Sequence, residues 1–266
     1  MSELSPQKGE ALKRRWDKNA ATFDDYSGRF VGAVGDYVDW ELLSRYLPGD
    51  RSARILDAAG GTGRITLPLA RMGYSVTLCD ISPAMLDVAR RKLQNEGLLD
   101  RVEILECDVR DPPFAREMFD FVLCWDGAAS GILKLIQAAK MGGRVSISLG
   151  NKWATVLDRF FKDPGKAMSL IDSVPACIEE EYGSSWVASP NEARKLFEAE
   201  GVKVIDVCAT WGWCDLLGIP EEVQDSREWD QEFFTQTTDL IMKLTRELSV
   251  QGMARHLIIY GEKVGR

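Results

Sequence analysis

Ile55-Leu56-Asp57-Ala58-Ala59-Gly60-Gly61-Thr62-Gly63-Arg64-Ile65-Thr66, followed by a second apolar run that ends on Asp80, decides the fold of this chain. An apolar strand runs into a glycine-rich turn and a helix start, and a second strand then carries a carboxylate at its C-terminal end. That is the layout of a nucleotide site in a doubly wound sheet. The spacing argues against a dinucleotide. Its fingerprint ends on Gly or Ala where the helix packs closely on the strand, and here the β-branched Thr66 stands at that point.

Outward from this stretch the pattern alternates. Strands are expected at 54–57, 75–79, 102–106, 119–124 and 144–149, with helices at 63–72, 83–96 and 128–139 between them. Strands alternating with helices imply parallel pairing, right-handed crossovers and a ligand site at the carboxyl ends of the strands. Two helices, at 7–26 and 34–47, precede this core, and Pro48-Gly49-Asp50 closes the lead-in with a turn. Beyond residue 150 a helix at 191–200, a strand at 202–210 and a final strand at 256–261 complete the pattern. Segment 151–189 reads as irregular, and 211–255 as a long excursion rich in Trp, Phe and acids with a helical period over 232–248.

The 266 residues suffice for one large α/β domain with its own core. The polar first residues carry Lys8, Lys13, Arg14 and Arg15, and nowhere do eighteen apolar residues follow one another, so the expectation is a soluble, cytoplasmic protein without a secretory signal or membrane span. Six scattered cysteines without a Cys-x-x-Cys pair, and a single histidine, make a zinc site of the usual spacing improbable. A formal charge of -8 and a pI near 4.9 argue against broad, sequence-independent nucleic-acid binding. The runs Lys13-Arg14-Arg15 and Arg90-Arg91-Lys92 read as solvated helix faces.

Candidate site residues cluster at the expected strand ends. Gly60, Gly61 and Gly63 let backbone amides approach a bulky ligand with no Cβ in the way. Asp80 is free to accept hydroxyl hydrogen bonds, because Ser82-Pro83 already supplies a cap and a first-turn proline for the next helix. Asp108 follows the third strand, and its rival role is a turn acid ahead of Asp111-Pro112. Asp126, after the fourth strand, is either a base or acceptor-orienting group or the N-cap of the next helix. Trp153, Trp186, Trp211, Trp213 and Trp229 suggest an aromatic acceptor pocket, with core packing as the rival. Phe23 and Tyr26 are candidates to cover the ligand, and His256 is read as structural.

These motifs resemble the class I S-adenosylmethionine-dependent methyltransferases, whose first motif runs acid-x-Gly-x-Gly-x-Gly. Asp57, Gly61 and Gly63 match it. Ala59 stands where the first glycine is usual, a mild departure if only close backbone approach is at stake. The resemblance covers residues 51–150. It implies a doubly wound, mostly parallel seven-stranded sheet with helices on both faces, an antiparallel last strand and added helical lid segments. It also implies S-adenosyl-L-methionine as cofactor, held by Asp57, Ala59, Gly60, Gly61, Gly63, Asp80, Ile81, Met85, Cys107, Asp108, Val109, Trp125 and Tyr26. In that family the acid after the second strand holds the ribose and the acid after the third meets the adenine, the places of Asp80 and Asp108. Residues 1–50 then form an N-terminal helical lid on a methyltransferase domain at 51–266, with acceptor-site insertions at about 151–189 and 212–254. Within the family the chain is similar to small-molecule and quinone methylases and to the enzymes that esterify the carboxymethyl group of the tRNA wobble uridine. The acidic balance favours a small-molecule acceptor, with tRNA as the alternative and a non-catalytic S-adenosylmethionine-binding module as a third reading.

Overall fold

Five parallel strands form the centre of the molecule: β1 (Arg54–Ala58), β2 (Ser75–Asp80), β3 (Val102–Glu106), β4 (Phe119–Cys124) and β5 (Ala139–Asn151). The computed structural model describes residues 6–125, 131–173, 176–180, 183–210, 213 and 217–265. The five strands lie in the order β3-β2-β1-β4-β5. On the free side of β5 the last strand, β9 (His256–Lys263), pairs antiparallel, and β8 (Val202–Thr210) pairs antiparallel with β9. All seven expected strands and the antiparallel last strand are therefore present. The order reverses at β1, which has β2 on one side and β4 on the other, and a crevice opens at the carboxyl end of such a switch point.

Side chains along the central strands alternate between two cores, as a pleated strand covered on both faces requires. Ile55, Val76, Leu78, Phe121 and Leu123 belong to one core, whereas Leu56, Cys79, Val122 and Cys124 belong to the other. The first core is roofed by α2 (Phe30–Ser44), α3 (Thr66–Arg71), α4 (Pro83–Asn95) and α10 (Gln231–Leu244), through Val34, Val38, Leu69, Leu86, Leu93 and Ile241. The second is roofed by α5 (Ile132–Ala138) and α8 (Pro190–Ala199), through Leu135, Ile136, Ala193 and Phe197. Helix α8 begins with a full capping box: Ser189 accepts from the Glu192 N–H, and the Glu192 side chain accepts from the Ser189 N–H.

Three expectations need correction. The helix expected over 7–26 stops early, as α1 (Pro6–Asn19), and a short 3-10 turn follows at Phe23–Asp25. The reason is tertiary: Asp24 turns inward to accept from the Thr62 hydroxyl. The segment expected to be irregular after β5 is structured, with α6 (Lys152–Phe160), α7 (Pro164–Asp172) and a hairpin of β6 (Ala176–Glu180) and β7 (Gly183–Ala188). This hairpin adds two strands to the sheet. Strand β7 pairs with Gly150 and Asn151, beyond the Cys124–Ile147 pair at which β4 ends its pairing with β5. The helical period over 232–248 is split between α10 and the short α11 (Leu248–Gln251), after the equally short α9 (Glu221–Gln224).

Candidate cofactor site

The turn after β1 is built on three left-handed residues: Ala59 at φ 57°, Gly61 at φ 54° and Gly63 at φ 75°. Ala59 thus departs from glycine for another reason than close approach. Its backbone sits in a conformation that costs a residue with a Cβ on the order of 1 kcal/mol. Gly60 is the crowded position, because a Cβ there would lie 2.5 Å from Leu78 Cδ1 and 2.6 Å from Asp57 Cγ. Gly61 is the open one. A Cβ there would meet nothing nearer than Asp80 Oδ2 at 4.0 Å, so the face of Gly61 that a side chain would occupy is uncrowded.

Asp57 and Asp80 end adjacent strands and play different parts. Asp57 is 3% exposed and accepts a 2.6 Å hydrogen bond from the Thr66 hydroxyl. Burial pushes its carboxyl up to about 6, against the opposing pull of Thr66 and of the Arg64 charge. It holds the turn from behind. The Asp80 carboxylate is also buried, and it accepts the Gly61 N–H at 3.0 Å on one oxygen and the Ser82 N–H at 2.9 Å on the other. Burial raises its carboxyl above the usual range, while those backbone donors favour the charged form. Each oxygen keeps a lone pair for a further donor. Ser82 caps α4 by accepting the Met85 N–H at 3.2 Å, and Met85 itself is buried.

The structure brings Asp57, Ala59, Gly60, Gly61, Gly63, Asp80 and Ile81 together on one rim, with Cys107 joined to it by its N–H on the Asp80 carbonyl at 2.9 Å. Asp108 is next along, and there its own neighbour competes. Arg110 donates from Nε to both carboxylate oxygens, at 2.7 and 2.9 Å, and from its backbone N–H at 3.0 Å. An incoming amino group would share Asp108 with Arg110. Val109 is buried, and Trp125 packs into the first core while donating its indole N–H to the Ser146 hydroxyl at 2.9 Å, so that donor is already engaged. Tyr26 is 37% exposed just beyond the 3-10 turn. Asp126 and Trp211 lie outside the described residues. The other tryptophans do not gather into one pocket: Trp213 and Trp229 pack with the first core, Trp186 with the second, and Trp153 points outward.

Two residues of the rim escape sequence reasoning. Asp17 on α1 accepts the Ser82 hydroxyl at 2.6 Å and the Ala84 N–H at 3.3 Å, adding a second cap to α4. Asp24 accepts the Thr62 hydroxyl at 2.6 Å and the Lys92 ammonium at 2.9 Å. These carboxylates fasten the N-terminal segment across the glycine turn. Only their three-dimensional partners, dozens of residues away, reveal them. With Asp57, Asp80 and Asp108 they make the rim acidic, and the nearby Lys92 is already paired. Such a rim suits a ligand with a cationic centre and opposes a pyrophosphate.

A family profile described as a methyltransferase domain matches residues 55–139. The tRNA 5-carboxymethoxyuridine methyltransferase of Escherichia coli (strain K12) is 28% identical over 146 residues, covering 48% of this chain and 56% of that protein. The demethylmenaquinone methyltransferase of Clavibacter sepedonicus is 32% identical over 148 residues, covering 51% of this chain and 59% of that protein. The chain thus spans little more than half the length of these curated relatives. Geranyl diphosphate C-methyltransferase from Streptomyces coelicolor A3(2), solved with Mg2+, geranyl-S-thiolodiphosphate and S-adenosyl-L-homocysteine, shares the fold at a TM-score of 0.61 and 16% identity, covering 99% of this chain and 100% of that one. Motif and relatives agree on a methyltransferase domain at residues 55–139, and the fold of the chain is that of the class I S-adenosylmethionine-dependent methyltransferases.

Proposed function

We propose that this protein transfers a methyl group from S-adenosylmethionine to a small-molecule acceptor. The observation that carries the reading is the buried Asp80 carboxylate, held by the Gly61 N–H at 3.0 Å beside the uncrowded Cα face of that glycine. The residues fit that cofactor: a fixed carboxylate with spare lone pairs suits two ribose hydroxyls, and an acidic rim suits a sulfonium. When bound, S-adenosylmethionine supplies an electrophilic methyl group on a good leaving group. The chain's part is then alignment and exclusion of water, more than proton transfer. The Asp17 and Asp24 latches hold α1 and the 3-10 turn over the glycine turn, and Asp57 fixes the backbone that lies against the ligand. Asp126 is kept as the candidate base or acceptor-orienting group. An acceptor already nucleophilic at neutral pH, a carboxylate or thiolate, would need no base.

The choice of a small molecule over tRNA rests on charge. Beyond the net charge of -8, three of the six cations in the two basic runs are paired with carboxylates of the chain itself. Lys13 pairs with Glu106, Arg90 with Asp87 and Lys92 with Asp24. The Escherichia coli relative keeps tRNA as the second reading. Incubation with methyl-labelled S-adenosylmethionine and either a small-metabolite extract or bulk tRNA decides between them. Label in the metabolite fraction alone is expected. Label in tRNA alone would overturn the acceptor class, and label in neither, with cofactor bound, would favour a binding module.

A further inference from the structure

Three carboxylates are buried among the described residues. Asp57 and Asp80 belong to the glycine turn and to the end of β2, and the third, Asp39, lies outside both. It is the one charged side chain among the residues that α2 buries, at 2% exposure. Both of its oxygens are engaged: Arg64 donates to Oδ2 from Nη1 at 3.1 Å, and the Thr210 hydroxyl donates to Oδ1 at 3.1 Å. Arg64 is the residue that follows Gly63, and Thr210 is the last residue of β8. Asp39 is therefore the point at which the glycine turn, α2 and the end of β8 are tied together.

Arg64 meets a second acid in a different setting. The same Nη1 donates at 2.8 Å to Oδ1 of Asp36, one turn earlier on α2, and that carboxylate is 34% exposed. Solvent screens the outer pair, whereas the pair with Asp39 is shielded from it. A buried ion pair adds little net stability over apolar side chains of the same volume, because desolvation offsets the attraction. What it fixes is position. Gly61 and Gly63 are left-handed and bring no side chains to lock the turn, so its neighbours must hold it: Asp24 on Thr62, Asp57 on Thr66 and Asp39 on Arg64. The Arg64 charge also opposes the burial that raises the Asp57 carboxyl, so the guanidinium is felt across the turn. We propose that Asp39 is a positioning residue for the cofactor: acting through Arg64, and itself held by Thr210, it fixes the glycine turn in the conformation that receives S-adenosylmethionine. The inference rests on the reading of that turn as the cofactor site. Without the Asp39 charge, Arg64 would follow the more exposed Asp36 outward and take the end of the turn with it.

The test sets cofactor affinity against stability in the full chain. Calorimetric titration with S-adenosylmethionine and urea unfolding are run on wild type, on Asp39→Asn, and on Asp39→Asn combined with Arg64→Met. Asp39→Asn keeps an oxygen for the Thr210 hydroxyl but takes a charge partner from the guanidinium, so it should lower the urea midpoint and weaken binding by roughly ten-fold. The double variant removes both charges. Its midpoint should return to near that of wild type while binding stays roughly ten-fold weak. Wild-type affinity in either variant would overturn the proposal. So would an affinity that follows the midpoint across the three proteins, the mark of a purely structural pair. A wild type that binds no S-adenosylmethionine would sink the cofactor reading and this inference with it, whereas a binding wild type matched by its variants would sink this inference alone.

Discussion

Replacing Asp57 by Asn should change how the stability of this protein depends on pH. The Asp57 carboxyl lies at about 6 in the folded chain, against 3.8 for an ordinary aspartate, because burial outweighs the Thr66 hydrogen bond. Between these values the folded state binds the proton more tightly than the unfolded state, so stability falls as pH rises through the window. The shift of about two units corresponds to about 3 kcal/mol, fully lost above about pH 6. About 2 kcal/mol of that is lost between about pH 4.5 and about pH 7.5, the remainder at lower pH. Asn keeps an oxygen for the Thr66 hydroxyl but carries no charge to desolvate. Its buried amide adds a cost of its own, which does not vary with pH. Urea unfolding of wild type and Asp57→Asn at the two pH values isolates the titration, since Asp80 is common to both proteins. The variant should gain about 2 kcal/mol relative to wild type on going from about pH 4.5 to about pH 7.5. A difference between the two proteins that stays constant with pH would refute the assignment of a raised carboxyl to this site.

The left-handed backbone at Ala59 predicts that Ala59→Gly stabilises the chain by about 1 kcal/mol, read from the urea midpoint. Gly60→Ala should instead destabilise it by about 1–3 kcal/mol, because the added Cβ overlaps Leu78 and the Asp57 carboxyl. Asp24→Ala should leave the unfolding midpoint near that of wild type. It should still speed dissociation of S-adenosylmethionine by roughly ten-fold in stopped-flow, since it frees the N-terminal segment from Thr62 and Lys92.

The sheet was legible in the sequence because its central strands are buried on both faces and read as short apolar runs bounded by turn residues. The glycine turn and the acid ending β2 were legible for the same local reason. What sequence missed depends on distant partners. Asp17 and Asp24 look like ordinary helix-surface acids until Ser82 and Thr62 are seen beside them. Ala59 looked like a question of space and is one of backbone conformation, which residue size does not report. The β6–β7 hairpin was hidden because Ala176–Glu180 and Gly183–Ala188 are short and lack a clean apolar alternation. Five tryptophans outside the central sheet suggested one pocket, yet burial sent three of them to two opposite cores.

The central claim is that the acidic rim around Gly61 and Asp80 holds S-adenosylmethionine. Calorimetric titration of wild type and Asp80→Ala with S-adenosylmethionine, S-adenosylhomocysteine and NAD tests it most directly. The account predicts binding of the first two and none of NAD, with Asp80→Ala weakening S-adenosylmethionine by about 1.5–3 kcal/mol, the scale of charge-assisted hydrogen bonds. Binding of NAD, no binding of either S-adenosyl compound, or an unchanged affinity in Asp80→Ala would contradict it.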